Sequence, residues 1–190
     1  MRGGAWQTTI GVGLSGKTLG VIGLGRLGSE VARIGKAFGM EIVAWSQNLT
    51  ADVTGPLGVE LVDKASLFQR SDFVTIHLVL SARTRGLVGD AELAAMKPTA
   101  FLINTARGPI VDEPALMTAL RNRRIAGAGL DVYDEEPLPA DHPLRRLDNV
   151  VLTPHLGYVT IENYRVAYGE AVDNIRSFLA GTPLRIIKTE

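Results

Sequence analysis

The sequence contains no cysteine among its 190 residues, which excludes a disulfide scaffold, a thiolate nucleophile and a cysteine-based zinc site together. Net charge is also absent, since 20 basic residues balance 20 acidic ones, and no field favours nucleic acid or an anionic membrane as a partner. The chain lacks the apolar stretch of a signal peptide and any apolar run of membrane-spanning length. We therefore expect a cytoplasmic protein that binds no nucleic acid, membrane or metal.

What the sequence does contain is a regular alternation of short apolar runs with helical patterns. The runs are rich in β-branched residues and apolar throughout, as is typical of strands buried on both faces of a parallel sheet. This pattern predicts an α/β fold with a doubly wound parallel sheet of the Rossmann type. The predicted strands are Thr18–Ile22, Glu41–Trp45, Asp72–His77, Ala100–Asn104, Gly127–Asp131 and Val150–Leu152. The predicted helices follow Gly28 and cover Lys64–Arg70, Asp90–Met96, Asp112–Asn122 and Ile161–Ala180, with Asp90 and Asp112 as N-caps.

Two segments have the spacing G-x-G-x-x-G, and only one has the context that binds a dinucleotide. Gly23, Gly25 and Gly28 follow an apolar strand and open a helix. Glycines there permit a tight turn, the approach of pyrophosphate to the backbone, and close packing of helix on strand. The other segment, Gly11–Gly16, has no strand before it and no helix after it, so we interpret it as a loop. The residues of the following helix that we expect to pack on the sheet are Leu27, Val31, Ile34 and Phe38.

Ser46 and Gln47 close the second predicted strand, about 20 residues beyond the glycines, where such domains recognise the adenosine ribose. An acidic residue there would bind the ribose hydroxyls and repel a 2′-phosphate, but the next carboxylate is Asp52. No lysine or arginine lies between Ser46 and Ala51 to attract a 2′-phosphate. The absence of that positive charge favours NAD as the cofactor, while NADP stays open.

Ligands bind beyond the carboxyl ends of the strands in an open parallel sheet, so the polar residues there are candidates for chemistry. His155 follows Pro154 and can act as a general acid or base, the alternative being a core or capping histidine. Arg107 can bind a carboxylate with charge-assisted hydrogen bonds, or it lies in an ordinary surface turn. His77 is expected to contact cofactor ribose or to cap its strand, and His142 is expected to be solvated in a polar loop.

An acidic cluster precedes Pro137 in an otherwise polar loop and comprises Asp131, Asp134, Glu135 and Glu136. A carboxylate that is hydrogen-bonded to an imidazole fixes the tautomer of the ring and favours the imidazolium. Spacing alone does not indicate which of these acids meets His155.

Several ordered motifs extend almost from end to end of the chain. They are Trp6-Gln7-Thr8-Thr9, Leu14–Gly20, Gly23–Gly28, Met96–Ala100, Asn104–Gly108, Leu130–Val132, Glu135–Leu138 and Thr153–Gly157. In order and spacing these motifs resemble the D-isomer-specific 2-hydroxyacid dehydrogenase family, which includes D-3-phosphoglycerate, glyoxylate/hydroxypyruvate and D-lactate dehydrogenases. The resemblance implies an oxidoreductase that transfers a hydride between a nicotinamide cofactor and a small 2-hydroxy or 2-oxo acid.

The resemblance also implies a role for each matching residue. Arg107 would bind the substrate carboxylate and polarise the 2-oxo group, while His155, paired with Glu136, would exchange the proton. Asp131 would accept a hydrogen bond from the nicotinamide carboxamide. The residues assigned to the cofactor site are Gly23, Gly25, Arg26, Leu27, Gly28, Ser46, Gln47, His77, Thr84, Thr105, Ala106, Asp131 and Gly157.

Some features depart from the family pattern. Ser46 stands where NAD-preferring members carry aspartate, Val79 replaces a frequent proline, and Tyr158 replaces a small residue close to His155. Family members also carry a preceding segment that builds most of a substrate domain, to which their last helix returns. We therefore expect a dinucleotide-binding domain at residues 1–160 and, at 161–190, a helix and tail that are a remnant of the substrate domain.

The last helix would then expose an apolar face that its usual partner covers, which is consistent with self-association. The residues of that face are Tyr164, Tyr168, Val172, Ile175 and Leu179. Dimerisation is usual in the family, so we expect a homodimer. The alternatives to a dehydrogenase, or the cofactor half of one, are an NAD(H)-binding regulatory module and a non-catalytic fragment.

Overall fold

The computed structural model describes residues 3–4, 6 and 10–187. The residues Gln7, Thr8 and Thr9 of the first family motif therefore lie outside the described residues. The chain divides into two compact units, one ending at Pro154 and the other beginning at His155. Each unit is described by itself.

In the described part of the first unit, seven parallel strands form one sheet in the order β3-β2-β1-β4-β5-β6-β7. The strands are β1 (Thr18–Ile22), β2 (Glu41–Trp45), β3 (Glu60–Leu61), β4 (Phe73–Ile76), β5 (Phe101–Asn104), β6 (Gly127–Leu130) and β7 (Val150–Leu152). The α-helices are α1 (Arg26–Ala37), α2 (Ala51–Thr54), α3 (Lys64–Arg70), α4 (Asp90–Ala95) and α5 (Glu113–Arg121). Short 3₁₀ segments occupy Gly55–Leu57, Gly108–Ile110 and Pro143–Arg146.

The strand order changes direction at β1, which lies between β2 and β4. At this junction Ile22 pairs with Trp45 on one side and with Ile76 on the other, so the three strands end at the same edge. A crevice outside the carboxyl ends of the strands at such a switch point is the usual ligand site of an open α/β sheet. The fold therefore places the residues that follow β1, β2 and β4 where a ligand would bind.

The hydrophobic core lies on both faces of the sheet. Neighbouring side chains of β1 point to opposite faces, because side chains alternate along a strand. Val21 packs in a cluster with Ala32 of α1, whereas Ile22 packs in a second cluster with Phe68 of α3 and Leu93 of α4. This division confirms the predicted doubly wound sheet with helices on both faces.

The predicted apolar stripe of α1 is wrong at three of its four residues, whereas Val31 is partly buried against the core cluster that contains Val21. Leu27, Ile34 and Phe38 are 65%, 47% and 58% exposed, while the buried residues of the helix are Gly28, Ala32 and Gly35. The reason is the distance between helix and sheet, since a Cβ added at Gly35 would lie 2.9 Å from side-chain carbons of Leu19 and Ile42. Only small side chains fit in so narrow a gap, so the helix approaches the sheet through Gly28, Ala32 and Gly35.

The other predicted strands and helices agree with the structure to within one residue at each end. Two elements of the structure were not predicted. Strand β3, with two residues, and the four-residue α2 are too short to produce an apolar pattern. Asp112 is the N-cap of α5, as predicted, and accepts a hydrogen bond from the Ala115 amide at 2.9 Å. The N-cap predicted at Asp90 is wrong, because Gly89 occupies that position and the carboxylate of Glu92 accepts from its amide at 2.9 Å.

The second unit contains α6 (Ile161–Leu179), which begins at the N-cap Thr160, whose hydroxyl accepts from the Asn163 amide at 3.2 Å. Gly181 follows the helix with φ +73°, a left-handed conformation that glycine adopts at helix ends. No residue of α6 is buried. Within the described residues, no helix combines the length and the apolar character needed to cross a membrane.

Candidate functional site

The glycine-rich turn after β1 is shaped by backbone contacts that exclude side chains at two of its three glycines. Gly23 has φ +93°, and a Cβ there would lie 2.7 Å from the carbonyl oxygen of His77. A Cβ at Gly28 would lie 2.0 Å from the carbonyl oxygen of Gly23. These two glycines are therefore required by the fold itself, one by its turn and the other by the approach of α1 to β1.

Gly25 differs from both, because nothing lies within 4 Å of a Cβ built on it. Its φ of −79° is open to any residue, so the fold does not explain a glycine here. Gly25 is the N-cap of α1, where backbone N–H groups point outwards, and the first turn contains no acidic side chain that would compete for them. The open space is a cradle that a side chain would fill and that an anionic pyrophosphate fits.

A cavity of about 330 Å³ adjoins this turn, and we call it the strand-end cavity. It is lined by the first four residues after β4 and the first three after β5, together with one residue of α1. Its size is at the lower end of the range for small-molecule sites. The lining residues are Leu27, His77, Leu78, Val79, Leu80, Thr105, Ala106 and Arg107. The structure thus brings five of the residues that the sequence assigned to the site to one cavity.

His77 is half-buried in this cavity, and burial lowers the pKa of its imidazole below the ordinary value. The ring is therefore neutral near pH 7. Its Nε2 lies 3.0 Å from the hydroxyl of Thr75, a buried residue of β4. A neutral ring held in this way is suited to hydrogen bonding with a ribose hydroxyl rather than to proton exchange.

Arg107 reaches the cavity from a turn that Asn104 holds in place. The buried Asn104 amide donates to the carbonyl of Arg107 at 2.9 Å and accepts from the Ala106 N–H at 3.1 Å. The Arg107 guanidinium is exposed and donates to the Ala106 carbonyl at 2.6 Å. Because a guanidinium has five N–H donors, this one bond leaves it able to bind a carboxylate through its remaining donors.

The turn of Arg107 is joined to the loop after β6. A Cβ at Gly108 would lie 2.0 Å from the carbonyl carbon of Tyr133, so the two backbones are in direct contact. In that loop Glu136 accepts a hydrogen bond from the Tyr133 N–H at 2.9 Å, which orients its carboxylate. Asp131, which follows β6, is only 6% exposed and accepts from the Thr153 hydroxyl at 2.5 Å.

His155 begins the second unit and has φ +52°, a left-handed conformation that few residues other than glycine adopt. Its ring meets the ring of Tyr158 edge to face, with the centroids 5.8 Å apart. Gly157 lies in the same turn, which Val159 closes by donating to the carbonyl of Leu156 at 2.9 Å. Backbone strain of this kind costs about 1–3 kcal/mol and clusters at functional sites, so it supports His155 as a candidate catalytic residue.

The remaining predicted contacts lie around the same edge of the sheet. Ser46 is half-buried directly after β2, and Gln47 beside it is exposed, as is Arg26 at the start of α1. Thr84 uses its hydroxyl within its own turn, where it accepts from the Ser81 N–H at 2.8 Å and donates to the Val79 carbonyl at 2.7 Å. These four residues stay predicted cofactor contacts.

The expectation that His142 is solvated is wrong. Its Nε2 lies 3.0 Å from the carboxylate of Glu113, and both side chains are about four-fifths buried (18% and 21% exposed). The contact joins the loop after β6 to the first turn of α5, which sequence spacing could not reveal. Among the described residues, His, Asp and Glu form no group suited to holding a metal ion.

A Rossmann-type sheet with a glycine turn, an anion-accepting helix N-terminus and a strand-end cavity defines a dinucleotide-binding domain. The chain belongs to the D-isomer specific 2-hydroxyacid dehydrogenases, since the model of the NAD binding domain of that family matches residues 1–157. NAD is therefore the cofactor of the domain.

Two relatives and one solved structure illustrate the similarity. A glyoxylate reductase of Aeropyrum pernix is 46% identical over 182 residues, which cover 95% of this chain and 54% of the relative. A D-3-phosphoglycerate dehydrogenase of Methanocaldococcus jannaschii is 45% identical over 172 residues, 90% of this chain and 33% of the relative. The structure of a putative D-3-phosphoglycerate dehydrogenase from Ralstonia solanacearum superposes with a TM-score of 0.92 at 36% identity, covering 97% of this chain and 58% of that one. The chain thus spans between a third and three fifths of the length of these proteins.

Proposed function

We propose that this chain is the cofactor half of an oxidoreductase that interconverts a small 2-oxo acid and its D-2-hydroxy acid. The observation that carries the proposal is the meeting of Arg107 with the glycine turn around one strand-end cavity. A cofactor bound through its pyrophosphate at Gly25 would extend towards this cavity, and a guanidinium in the cavity can hold the carboxylate of the acid. Substrate and cofactor would therefore meet there.

When bound, the nicotinamide supplies or accepts the hydride. Arg107 binds the substrate carboxylate and polarises the 2-oxo group, and His155 donates a proton to the oxygen of that group during reduction. Glu136 would pair with His155, and its carboxylate is oriented by the Tyr133 N–H. Proton transfer from a positioned side chain contributes about 10²–10⁴-fold to such a reaction.

The other assigned residues bind the cofactor. The backbone of Arg26 and Leu27 would contact the pyrophosphate at the glycine turn. Ser46, Gln47 and His77 would contact the ribose groups, and Thr84 would contact phosphate or ribose. Thr105, Ala106 and Asp131 would form the nicotinamide pocket, where Asp131 would accept from the carboxamide. Gly157 stays a proposed cofactor contact. The position of Asp131 directly after β6, at the edge where the strands end, supports this role.

We further propose that the protein acts in the cytoplasm as a homodimer, without nucleic acid or membrane as a partner. Residues 1–160 would form the dinucleotide-binding domain, and residues 161–190 would belong to the substrate domain. The apolar side chains of α6 support self-association, since Tyr168, Ile175 and Leu179 are 67%, 61% and 79% exposed.

Replacing Ser46 by aspartate is expected to sharpen the preference for NADH over NADPH. A carboxylate at this position would bind the ribose hydroxyls of NADH and repel the 2′-phosphate of NADPH. Fluorescence titration of both cofactors is expected to show a ratio of Kd values that shifts towards NADH by about tenfold or more, or about 1.4 kcal/mol. Ser46→Asn introduces a side chain of the same size without the charge and is the control. An unchanged ratio in Ser46→Asp would remove Ser46 from the ribose subsite.

The experiment that tests the proposed reaction follows the oxidation of NADH with glyoxylate, hydroxypyruvate, pyruvate and 3-phosphohydroxypyruvate. Oxidation that depends on one of these acids and on His155 supports the proposed dehydrogenase. A folded chain that binds NADH but oxidises none of it would favour an NAD(H)-binding regulatory module.

A further inference from the structure

Thr153 follows β7 and lies beside Asp131, which follows β6. The register of the two strands pairs Leu130 with Leu152, so the next residue of each strand lies at the same edge of the sheet. The hydroxyl of Thr153 donates to Oδ1 of Asp131 at 2.5 Å, a short distance that is typical of a hydroxyl bound to a charged oxygen. The bond links two side chains 22 positions apart that share no sequence motif.

The backbone of Thr153 is fixed on both sides of its side chain. Its N–H donates to the carbonyl of Leu130 at 2.9 Å, which continues the ladder between β6 and β7. Its carbonyl accepts from the hydroxyl of Tyr133 at 2.8 Å, and the same hydroxyl lies 3.2 Å from the carbonyl of Leu130. Burial first, and the charge of Asp131 second, raise the pKa of Tyr133, so this hydroxyl remains a donor over the ordinary pH range.

A carboxylate needs such a support because the last torsion of aspartate is broad and roughly two-fold. A threonine on fixed backbone has a restricted first torsion, so its hydroxyl presents a donor in a defined direction. We infer that Thr153 is a positioning residue whose hydroxyl holds the Asp131 carboxylate in the orientation that binds the nicotinamide carboxamide. This inference rests on the proposed function, specifically on the role of Asp131.

The test compares NADH with ADP-ribose, which has the same adenosine and pyrophosphate groups but no nicotinamide. Thr153→Val removes the hydroxyl at nearly constant volume. It is expected to weaken NADH binding by about tenfold or more, because the carboxamide would lose its hydrogen bond to the charged Asp131 carboxylate. Binding of ADP-ribose is expected to stay within about twofold, because no interaction with adenosine or pyrophosphate changes. Calorimetric titration gives both dissociation constants for the same folded sample.

Three further variants separate positioning from general structure. Thr153→Ser keeps the hydroxyl and is expected to restore NADH binding to within about threefold of the wild type. Thr118→Val is the matched control, since its hydroxyl bonds to the Pro114 carbonyl on the surface of α5, and it should bind both ligands normally. In an Asp131→Asn background, Thr153→Val is expected to add little, because the two side chains act as one unit. Thr153→Ala replaces Thr153→Val if the valine variant does not fold.

The outcomes distinguish the inference from the function on which it rests. A wild-type chain that binds neither ligand would contradict the proposed function itself. Two results would overturn the positioning role while the cofactor site stands, provided that the wild type binds NADH. Thr153→Val would either leave the affinity for NADH unchanged or weaken the binding of NADH and of ADP-ribose equally. Failure of Thr153→Ser to restore NADH binding would likewise overturn it.

Discussion

Replacing Gly25 by valine is expected to abolish NADH binding while the chain stays folded. The valine side chain would enter the open space above the N-terminus of α1, where the pyrophosphate is proposed to lie, and nothing in the protein lies within 4 Å of its Cβ. The φ and ψ of −79° and −163° are those of extended backbone, so the substitution imposes no strain. We expect the Kd of NADH to rise at least about 100-fold, or about 2.7 kcal/mol, in a fluorescence titration.

The control for this variant lies three residues away. Gly28→Ala places a Cβ 2.0 Å from the carbonyl oxygen of Gly23, so α1 must move from β1. Overpacking of this kind costs about 1–3 kcal/mol or more, and thermal unfolding should occur at a clearly lower temperature. Gly25→Val should lose binding without that loss of stability. If Gly25→Val binds NADH as the wild type does, the pyrophosphate does not lie at this turn.

Replacing His155 by asparagine is expected to lower the rate of 2-oxo acid reduction by about 10²–10⁴-fold and to leave the Kd of NADH unchanged. Asparagine is chosen because it tolerates the left-handed conformation of residue 155, whose φ is +52°, and cannot donate a proton as imidazolium does. The measurement is the steady-state oxidation of NADH, with whichever of glyoxylate, hydroxypyruvate, pyruvate and 3-phosphohydroxypyruvate the wild type reduces.

His142→Asn is the matched control for that measurement. His142 is bonded to Glu113 and does not line the strand-end cavity, so its replacement should leave the rate of reduction within a few-fold of the wild type. Equal losses of rate in the two variants would mean that the effect of His155→Asn is structural. A rate that His155→Asn does not change would remove His155 from the role of general acid.

Much of the fold was predictable because its signals are local. Apolar runs such as Thr18–Ile22 predict buried strands, and an acceptor such as Asp112 before a helical pattern predicts a cap that satisfies nearby N–H groups. The packing of α1 was not predictable from the same pattern. Periodicity identifies an apolar face, but the separation of helix and sheet, here set by Gly28 and Gly35, depends on tertiary contact.

The candidate site likewise contains residues that the sequence predicts and contacts that it does not. Residues that directly follow a predicted strand, such as His77 and Arg107, could be assigned to the strand-end cavity because parallel strands end at one edge. The contacts that support them could not be predicted, although Asn104 and Thr153 each belong to a motif. Thr75 is an apolar-strand residue by pattern, and Thr153 bonds to Asp131 across 22 positions, so neither contact has a signal in sequence spacing.

The most direct test of the central claim is a calorimetric titration of the folded wild-type chain with NADH, run in parallel with Gly25→Val. We expect saturable binding to the wild type with one NADH per chain, and no detectable binding to the folded variant. A folded wild-type chain that does not bind NADH, or a variant that binds it equally well, would contradict the assignment of the glycine turn as the cofactor site.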